Sequence, residues 1–510
     1  MRRRSSCFGV LAVLAALLAG AGPAAAAAPR AGATHIVQFM PGVSQADGAR
    51  LVRAAGGRPL AAVSLIGGLA ARLTAPEAAR LAHAPGVRAV SANRRVAPQA
   101  DRFDTSSLGT VYPTSVLAPD VWATATGRGV GVAVIDTGID GAHPDFRGDD
   151  GASRVTASVV VSPDATTPGD GYGHGTHVAG IIAGDSGRRG AGDPLAGRYV
   201  GIAPDANLIS VKISDDDGNA TVLDAIYGLQ FAVDHKSDLG IRVVNLSLSS
   251  TVAESARTDP LDAAVEAAWF NGLVVVAAAG NRGSDEDAVR YAPANDPYVI
   301  TVGAAEDQGT AARADDTVTA WSSRGTTQDG VAKPEVTAPG SQIVSTLAGG
   351  SDYTSLCPGC VVDGDYIRAG GTSQAAPVVS GIAALLLQAH PNWTPDQVKY
   401  AVSQSGRVFG SSIAEVSALG AFLQYSGQRA NKGLTPNELL DPTTGAIDYT
   451  RSSWSRSSWS AATGDLTASW ARSSWSCVCW DSPDDPVDPT RSSWSRSSWS
   501  RSSWSTRWDY

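Results

Sequence analysis

Lysine is scarce in this chain. Five lysines, Lys212, Lys236, Lys333, Lys399 and Lys432, are scattered through 510 residues whose formal net charge is -9. Binding to phosphate backbones needs clustered Lys and Arg, so nucleic acid is not expected as a partner. Long apolar runs are missing too. After the first 28 residues no stretch reaches the roughly 18 uninterrupted apolar residues that a bilayer span requires, so no membrane span is expected. Cysteine is sparse, with five residues, and Cys357 and Cys360 lie far from Cys477 and Cys479 with no His at ligand spacing beside either pair, which disfavours a metal cluster. Glycine and proline, 55 and 28 residues, stay below the level at which low complexity becomes the default. What is present is a 43% hydrophobic chain long enough for two or three domains and one sizeable core.

Residues 1–28 read as an address. Arg2, Arg3 and Arg4 precede a short apolar stretch, and the Ala-rich run at 24–28 offers small-residue cleavage sites, the pattern of a secretory signal peptide. The expected location is therefore extracellular. In that oxidising setting Cys357-Pro-Gly-Cys360 could close a small loop as a disulfide.

Two folded units follow. Over 33–98, extended apolar pieces alternate with helical patterns at 44–55 and 75–84, in the order strand, helix, strand, strand, helix, strand, which suggests a small ferredoxin-like α+β unit. Over 110–408, Val/Ile/Ala-rich runs at 130–135, 207–213, 242–248, 273–279 and 299–302 alternate with helices. Continuous apolar strands of that kind predict an α/β domain with a mainly parallel sheet covered on both faces, hence three layers. Residues 409–450 read as a linker. In the tail, 451–510, Arg-Ser-Ser-Trp-Ser occurs six times, and its period of five matches neither helix nor strand.

Three segments of the α/β unit carry chemistry. The run Gly131-Val-Ala-Val-Ile135 leads into Asp136-Thr-Gly, placing a carboxylate at the carboxyl end of a parallel strand, where open α/β sheets bind ligands. Gly173-His174-Gly-Thr-His177 puts His174 at the entry to an apolar helix, and Gly371-Thr-Ser373-Gln-Ala-Ala-Pro377 puts Ser373 at the mouth of a longer one. A serine hydroxyl is a weak nucleophile until an imidazole takes its proton, and a buried carboxylate must hold that imidazole in the right tautomer. Asp136, His174 and Ser373 supply those three roles. A tetrahedral intermediate also needs donors for its oxyanion. Asn281, at the end of the apolar run 274–279, and the backbone N–H of Ser373 at a helix N-terminus are the candidates.

Taken together, Asp136-Thr-Gly, His174-Gly-Thr-His, Ala279-Gly-Asn281 and Gly371-Thr-Ser373-Gln-Ala-Ala-Pro377 resemble the subtilisin-like serine proteases in wording and in the chain order Asp, His, Ser. The resemblance spans about 130–405 and implies a subtilisin-like fold and a secreted serine endopeptidase acting on polypeptide substrates. It implies that Ser247, Leu248 and Ser249 line one wall of a substrate cleft and Asn219 and Ala220 the other, with substrate bound as an added strand. Ser249 stands where the family often has Gly, with Ser250 following, which leaves the pocket's depth open, and Arg282 after Asn281 either favours acidic or polar side chains or points into water. Asp145, in His143-Pro-Asp145-Phe, matches a carboxylate that often ligates calcium, making structural calcium the candidate cofactor; no catalytic metal is expected. The unit at 33–98 resembles the family's prodomain, a chaperone and then an inhibitor of its own enzyme, with the maturation cut expected between about residues 96 and 114. The tail is similar to Trp/Ser-rich tails of some secreted subtilases.

Other readings compete. Alone, Asp136, His174 and Ser373 are more often turn or cap residues, and only their occurrence in order argues for catalysis. His177, near His174, lacks a third ligand and reads as structural, as do Lys212 and Asp140. A lipase would need Gly-x-Ser-x-Gly and the order Ser, Asp, His, which Ser373 does not meet. A non-catalytic adhesion protein would use the tail, whose repeated Trp side chains suit stacking on cell-envelope polysaccharide; the alternative is a low-complexity extension that is trimmed away.

Overall fold

The computed structural model describes residues 32–98, 110–190, 192–408, 414–424 and 428–440. The expected signal peptide, Cys477 and Cys479, and the repeat tail lie outside the described residues.

Residues 33–92 form β1 (Ala33–Phe39), a helix (Gln45–Ala54), β2 (Arg58–Val63), β3 (Gly68–Leu73), a helix (Ala75–Ala82) and β4 (Val87–Ala92). The strands make one antiparallel sheet in the order β2-β3-β1-β4. Local chemistry starts each helix. Ser44 accepts from the Asp47 N–H, and Thr74 forms a reciprocal capping box with Glu77. Because strand side chains alternate, the sheet serves two cores. Val37, Leu69 and Ala71 pack under the unit's own helices with Val52 and Leu81, while Ile36 and Ala70 join Val63, Leu65 and Ile66 in the core of the larger unit. There the turn Ser64–Ile66 packs on the helices Val222–Asp234 and Pro260–Phe270, and the Leu65 N–H donates to Gln230 Oε1 at 3.3 Å. A further strand, β5 (Arg95–Pro98), leaves this unit for the cleft described below.

The larger unit is built on a parallel sheet. β6 (Gly131–Asp136), β7 (Val155–Val160), β8 (Asn207–Lys212), β10 (Ile241–Leu246), β12 (Val274–Ala278) and β13 (Ile300–Glu306) pair in parallel in the order β7-β8-β6-β10-β12-β13 and continue into Val336–Pro339. Two short strands, β9 (Ala220–Thr221) and β11 (Leu248–Ser250), stand outside it. Every residue of β6 and of β12 is buried, as the three-layer arrangement requires. One helical pair, His174–Ala183 and Thr372–Ala389, and another, Val222–Asp234 and Pro260–Phe270, cover the sheet. Thr372–Ala389 has the length and apolarity of a membrane span, but 89% of it is buried in this core. The chain turns from β6 toward β8 on one side and β10 on the other, so the carboxyl end of β6 is a topological switch point.

Two strands were missed by the sequence reading, and one expectation needs correction. The strands Val155–Val160 and Val336–Pro339 escaped sequence reading because the first is a half-buried edge and the second is four residues ending in Pro. The expected linker 409–450 is in part folded. Ala414–Glu415 pairs with Val336–Pro339, Val416, Ala418 and Ala421 are buried, and Leu440 reaches the core. Asn437 donates its N–H to the buried Glu266 carboxylate at 2.8 Å and its amide to Asp259 O at 3.0 Å. Such short pieces with small side chains give no periodic signal. A chain truncated after residue 408 should therefore melt at a lower temperature than one truncated after residue 440, as read by calorimetry; equal melting temperatures would contradict this packing.

Candidate active site

Asp136 is the last residue of β6, at the switch point, and His174 is the first residue of its helix. Asp136 Oδ1 lies 2.6 Å from His174 Nδ1 and also accepts the Thr137 N–H at 2.8 Å. An ionised carboxylate only accepts, so Nδ1 carries the proton of this bond and Nε2 is left as the basic nitrogen. The approach is close because residue 175 is glycine. A Cβ there would stand 2.1 Å from Gly138 O.

A second carboxylate, Asp170, organises the entry to this helix. Its Oδ1 accepts from Thr137 Oγ1 at 2.7 Å and from the Gly173 N–H at 2.8 Å, and its Oδ2 from the N–H and hydroxyl of Thr176 at 2.7 and 2.6 Å. Thr137 Oγ1 in turn accepts the Gly175 N–H at 2.9 Å. Burial pushes the Asp170 carboxyl above its ordinary range, against the pull of these hydrogen bonds. Sequence reading missed Asp170. An acidic residue four positions before a Gly-flanked helix start was the available signal.

Aromatic packing backs the imidazole. The Tyr353 ring stands edge-on to His174 at a centroid distance of 6.3 Å, within a small core of Leu347, Cys360 and Ile367. Cys357 and Cys360 are joined in a disulfide that closes this segment. His177 lies fully buried, Nε2 3.0 Å from Ile367 O, and burial pushes its pKa down to about 3, so it is a neutral structural group. Lys212 is likewise structural, its ammonium bonded to Gly169 O and Asp216.

Ser373 is held from its own helix outward. Pro377 has no N–H for the carbonyl four residues earlier, which is that of Ser373. Ser247 takes the vacancy, donating its hydroxyl to Ser373 O at 2.9 Å, while Ser373 Oγ donates to Ser247 O at 3.2 Å. A buried relay continues behind it, with Asn245 Nδ2 donating to Ser247 Oγ and Ser380 Oγ to Asn245 Oδ1. Asn281 accepts at Oδ1 from the N–H and hydroxyl of Thr372, at 2.9 and 3.1 Å, which makes Nδ2 its donating end.

A cleft runs past these groups. One cavity is lined by Asp136 and Thr137, by Ile213, Ser214, Gly218 and Ala220, and by Ser247 and Leu248, and Val96 of β5 enters it. β5 lies antiparallel to both rims. Pro98 faces Leu248, Ala97 faces Ser249 and Val96 faces Ser250 on β11, while Val96 also faces Ala220 and Arg95 faces Thr221 on β9. Of the residues expected on the walls, Ser247, Leu248, Ser249 and Ala220 face this strand or the cavity. Asn219 instead turns its amide onto Asp215 in its own loop, at 3.1 Å. Arg282 stacks over the Tyr291 ring at 4.0 Å.

The Subtilase family model matches residues 127–430. The chain belongs to the subtilase family. It is 41% identical over 281 residues to serine protease AprX of Bacillus subtilis (strain 168), covering 54% of this chain and 61% of that protein. With subtilisin E of the same organism it shares 37% identity over 291 residues, 56% of this chain and 63% of the relative. The chain thus spans about three fifths of the length of these curated relatives. Among solved structures, fervidolysin from Fervidobacterium pennivorans, a keratinolytic enzyme related to subtilisin, matches with a TM-score of 0.60 at 25% identity, over 78% of this chain and 61% of that one.

Subtilases commonly bind structural calcium, and Asp145 was the candidate ligand. The residues present do not fit one. Asp145 Oδ1 accepts from Arg189 Nε at 2.7 Å and Oδ2 from the Tyr366 hydroxyl at 2.6 Å, so a guanidinium and a phenol face the carboxylate where six to eight oxygens would be needed. No group of three or more His, Cys, Asp or Glu among the described residues is placed to hold a metal.

Replacing Asp170 with Ala would leave Thr137, Gly173 and Thr176 without their buried acceptor. The Asp170→Ala subtilase should lose about 2 to 5 kcal/mol of stability and show a lower kcat with little change in KM. A kcat equal to that of the parent, from active-site-titrated enzyme, would remove Asp170 from the site.

Proposed function

We propose that this subtilase is a secreted serine endopeptidase, made with an inhibitory prodomain, that hydrolyses peptide bonds through an acyl-enzyme on Ser373. The observation that carries the reading is β5, a polypeptide strand paired with both rims of the cleft. The buried Asp136–His174 pair at 2.6 Å supports it independently.

The chemistry follows from the geometry. Asp136 holds His174 with Nε2 as the base, and the imidazole takes the Ser373 proton as Oγ attacks the substrate carbonyl. Negative charge on the former carbonyl oxygen is met by Asn281 Nδ2 and the Ser373 N–H, both donors set before the reaction begins. Imidazolium then gives its proton to the leaving amine. Water, deprotonated by the same nitrogen, releases the acid product and restores Ser373. Ser373→Ala should abolish cleavage of casein and release of the prodomain, and a fluorophosphonate should label the parent but not the variant. Casein cleavage by purified Ser373→Ala at the parent rate would overturn the assignment.

Residues 33–98 act in this reading as the inhibitor. Their hold on the cleft is reinforced beside β5, where Asn93 Oδ1 accepts the Leu223 N–H at 2.9 Å and Arg94 pairs with the buried Asp259 at 3.2 Å. In this reading the register supports one position for the maturation cut expected between about residues 96 and 114. Pro98 faces Leu248, so a peptide continuing that pairing by one residue comes opposite Ser247, whose carbonyl receives the Ser373 hydroxyl. The acyl group would then come from residue 99. N-terminal sequencing of the processed enzyme should find its first residue at Ala100, and a start before residue 99 would show that the strand does not occupy the cleft as a product. Secretion rests on the signal-like residues 1–28, and contact with the cell envelope would be the task of the tail.

A further inference from the structure

Carboxylates crowd the corner of the fold around Asp145, and arginines answer them. The Arg189 and Asp145 side chains are 3% and 1% exposed. Arg189 reaches Asp145 through Nε at 2.7 Å and Asp365 through Nη1 at 2.8 Å, and its guanidinium lies 5.3 Å from the centroid of the Tyr366 ring. Tyr366 closes the circuit by donating to the other Asp145 oxygen. Arg154 donates to Asp145 O at 2.7 Å, and Arg188 pairs with Asp185 at 2.8 Å and with Asp149 and Asp205.

These contacts hold the loop that follows the helix of His174. Asp185 donates its N–H to Asp145 O at 3.0 Å, Ser186 to Tyr199 O at 2.9 Å, and Gly201 to Gly184 O at 2.7 Å. A calcium ion gathers such a loop by drawing oxygens inward, and it leaves when its free concentration falls. A guanidinium offers planar, directed donors to carboxylates and cannot dissociate from the chain. From this arrangement we propose that Arg189 is a built-in cation that takes the place of a bound calcium ion, so that the loop after the histidine helix is held without metal.

The test is the melting temperature of full-length Ser373→Ala protein, which cannot digest itself, in EDTA and in millimolar calcium. An ion that binds only the native state raises Tm by mass action, so the two values should agree within about 2 °C, and a larger rise in calcium would overturn the proposal. In the same background Arg189→Met should lower Tm by roughly 5 to 10 °C, the consequence of leaving Asp145 buried without its counter-charge. An unchanged Tm would equally overturn it. The chelation arm uses the unsubstituted corner, so it decides the matter even if Arg189→Met does not fold. Neither arm depends on proteolytic activity.

Discussion

A negative carboxylate kept dry beside an imidazole is the constraint on which this site depends. Removing Asp136 from water costs several kcal/mol unless its charge is matched. The His174 Nδ1–H and the Thr137 N–H offset part of that cost as hydrogen-bond donors to Oδ1, and the low local dielectric that makes burial costly also strengthens the resulting hold on the imidazole. The rest of the neighbourhood keeps that geometry available. Gly175 lets the helix approach the end of β6, Asp170 ties its first turn to Thr137, and Tyr353 supports the ring from the side.

Buried carboxylates recur through the molecule in different surroundings. Asp170 is surrounded by neutral donors, Asp145 faces a guanidinium, and Glu335 lies between the ammonium groups of Lys333 and Lys399. Asp259, Asp262, Glu266 and Asp296 form a further group whose carboxyls burial drives upward, with repulsion from neighbouring carboxylates of the group adding to it at Asp262 and Glu266. Arg94, immediately before β5, adds positive charge to that group through Asp259. Docking of residues 33–98 is thereby coupled to the electrostatics of the larger unit as well as to its apolar core. The two units share one hydrophobic cluster, with Ile36, Leu65 and Ala70 packed among residues of the main sheet and its helices.

Much of this was readable before any coordinates. The apolar runs ending at Asp136 and Ala278 are strands buried on both faces, and their uninterrupted Val, Ile and Ala content marks them. The helix starts at His174 and Thr372 announce themselves through flanking glycines. Other parts left no such trace. Asp170 is one acidic residue in a glycine-rich loop, and Tyr353 lies in a short segment without periodicity, so their value arises from contacts with residues distant in the chain. Asp145 illustrates the converse. Its local motif suggested a cation ligand, but the cation facing it is Arg189, 44 residues later.

Residue type and local pattern were enough to determine which groups could act and where each stood on its element, because strand and helix periodicities and the glycines beside catalytic-type residues are short-range properties. Tertiary structure alone decided which partners met: Asp136 with His174, Ser373 with Ser247, Arg189 with Asp145, and residues 95–98 with both rims of the cleft. The physical reason is that these contacts join segments brought together by burial of a common core. The energy of each depends on desolvation and angle, which exist only after the chain has folded.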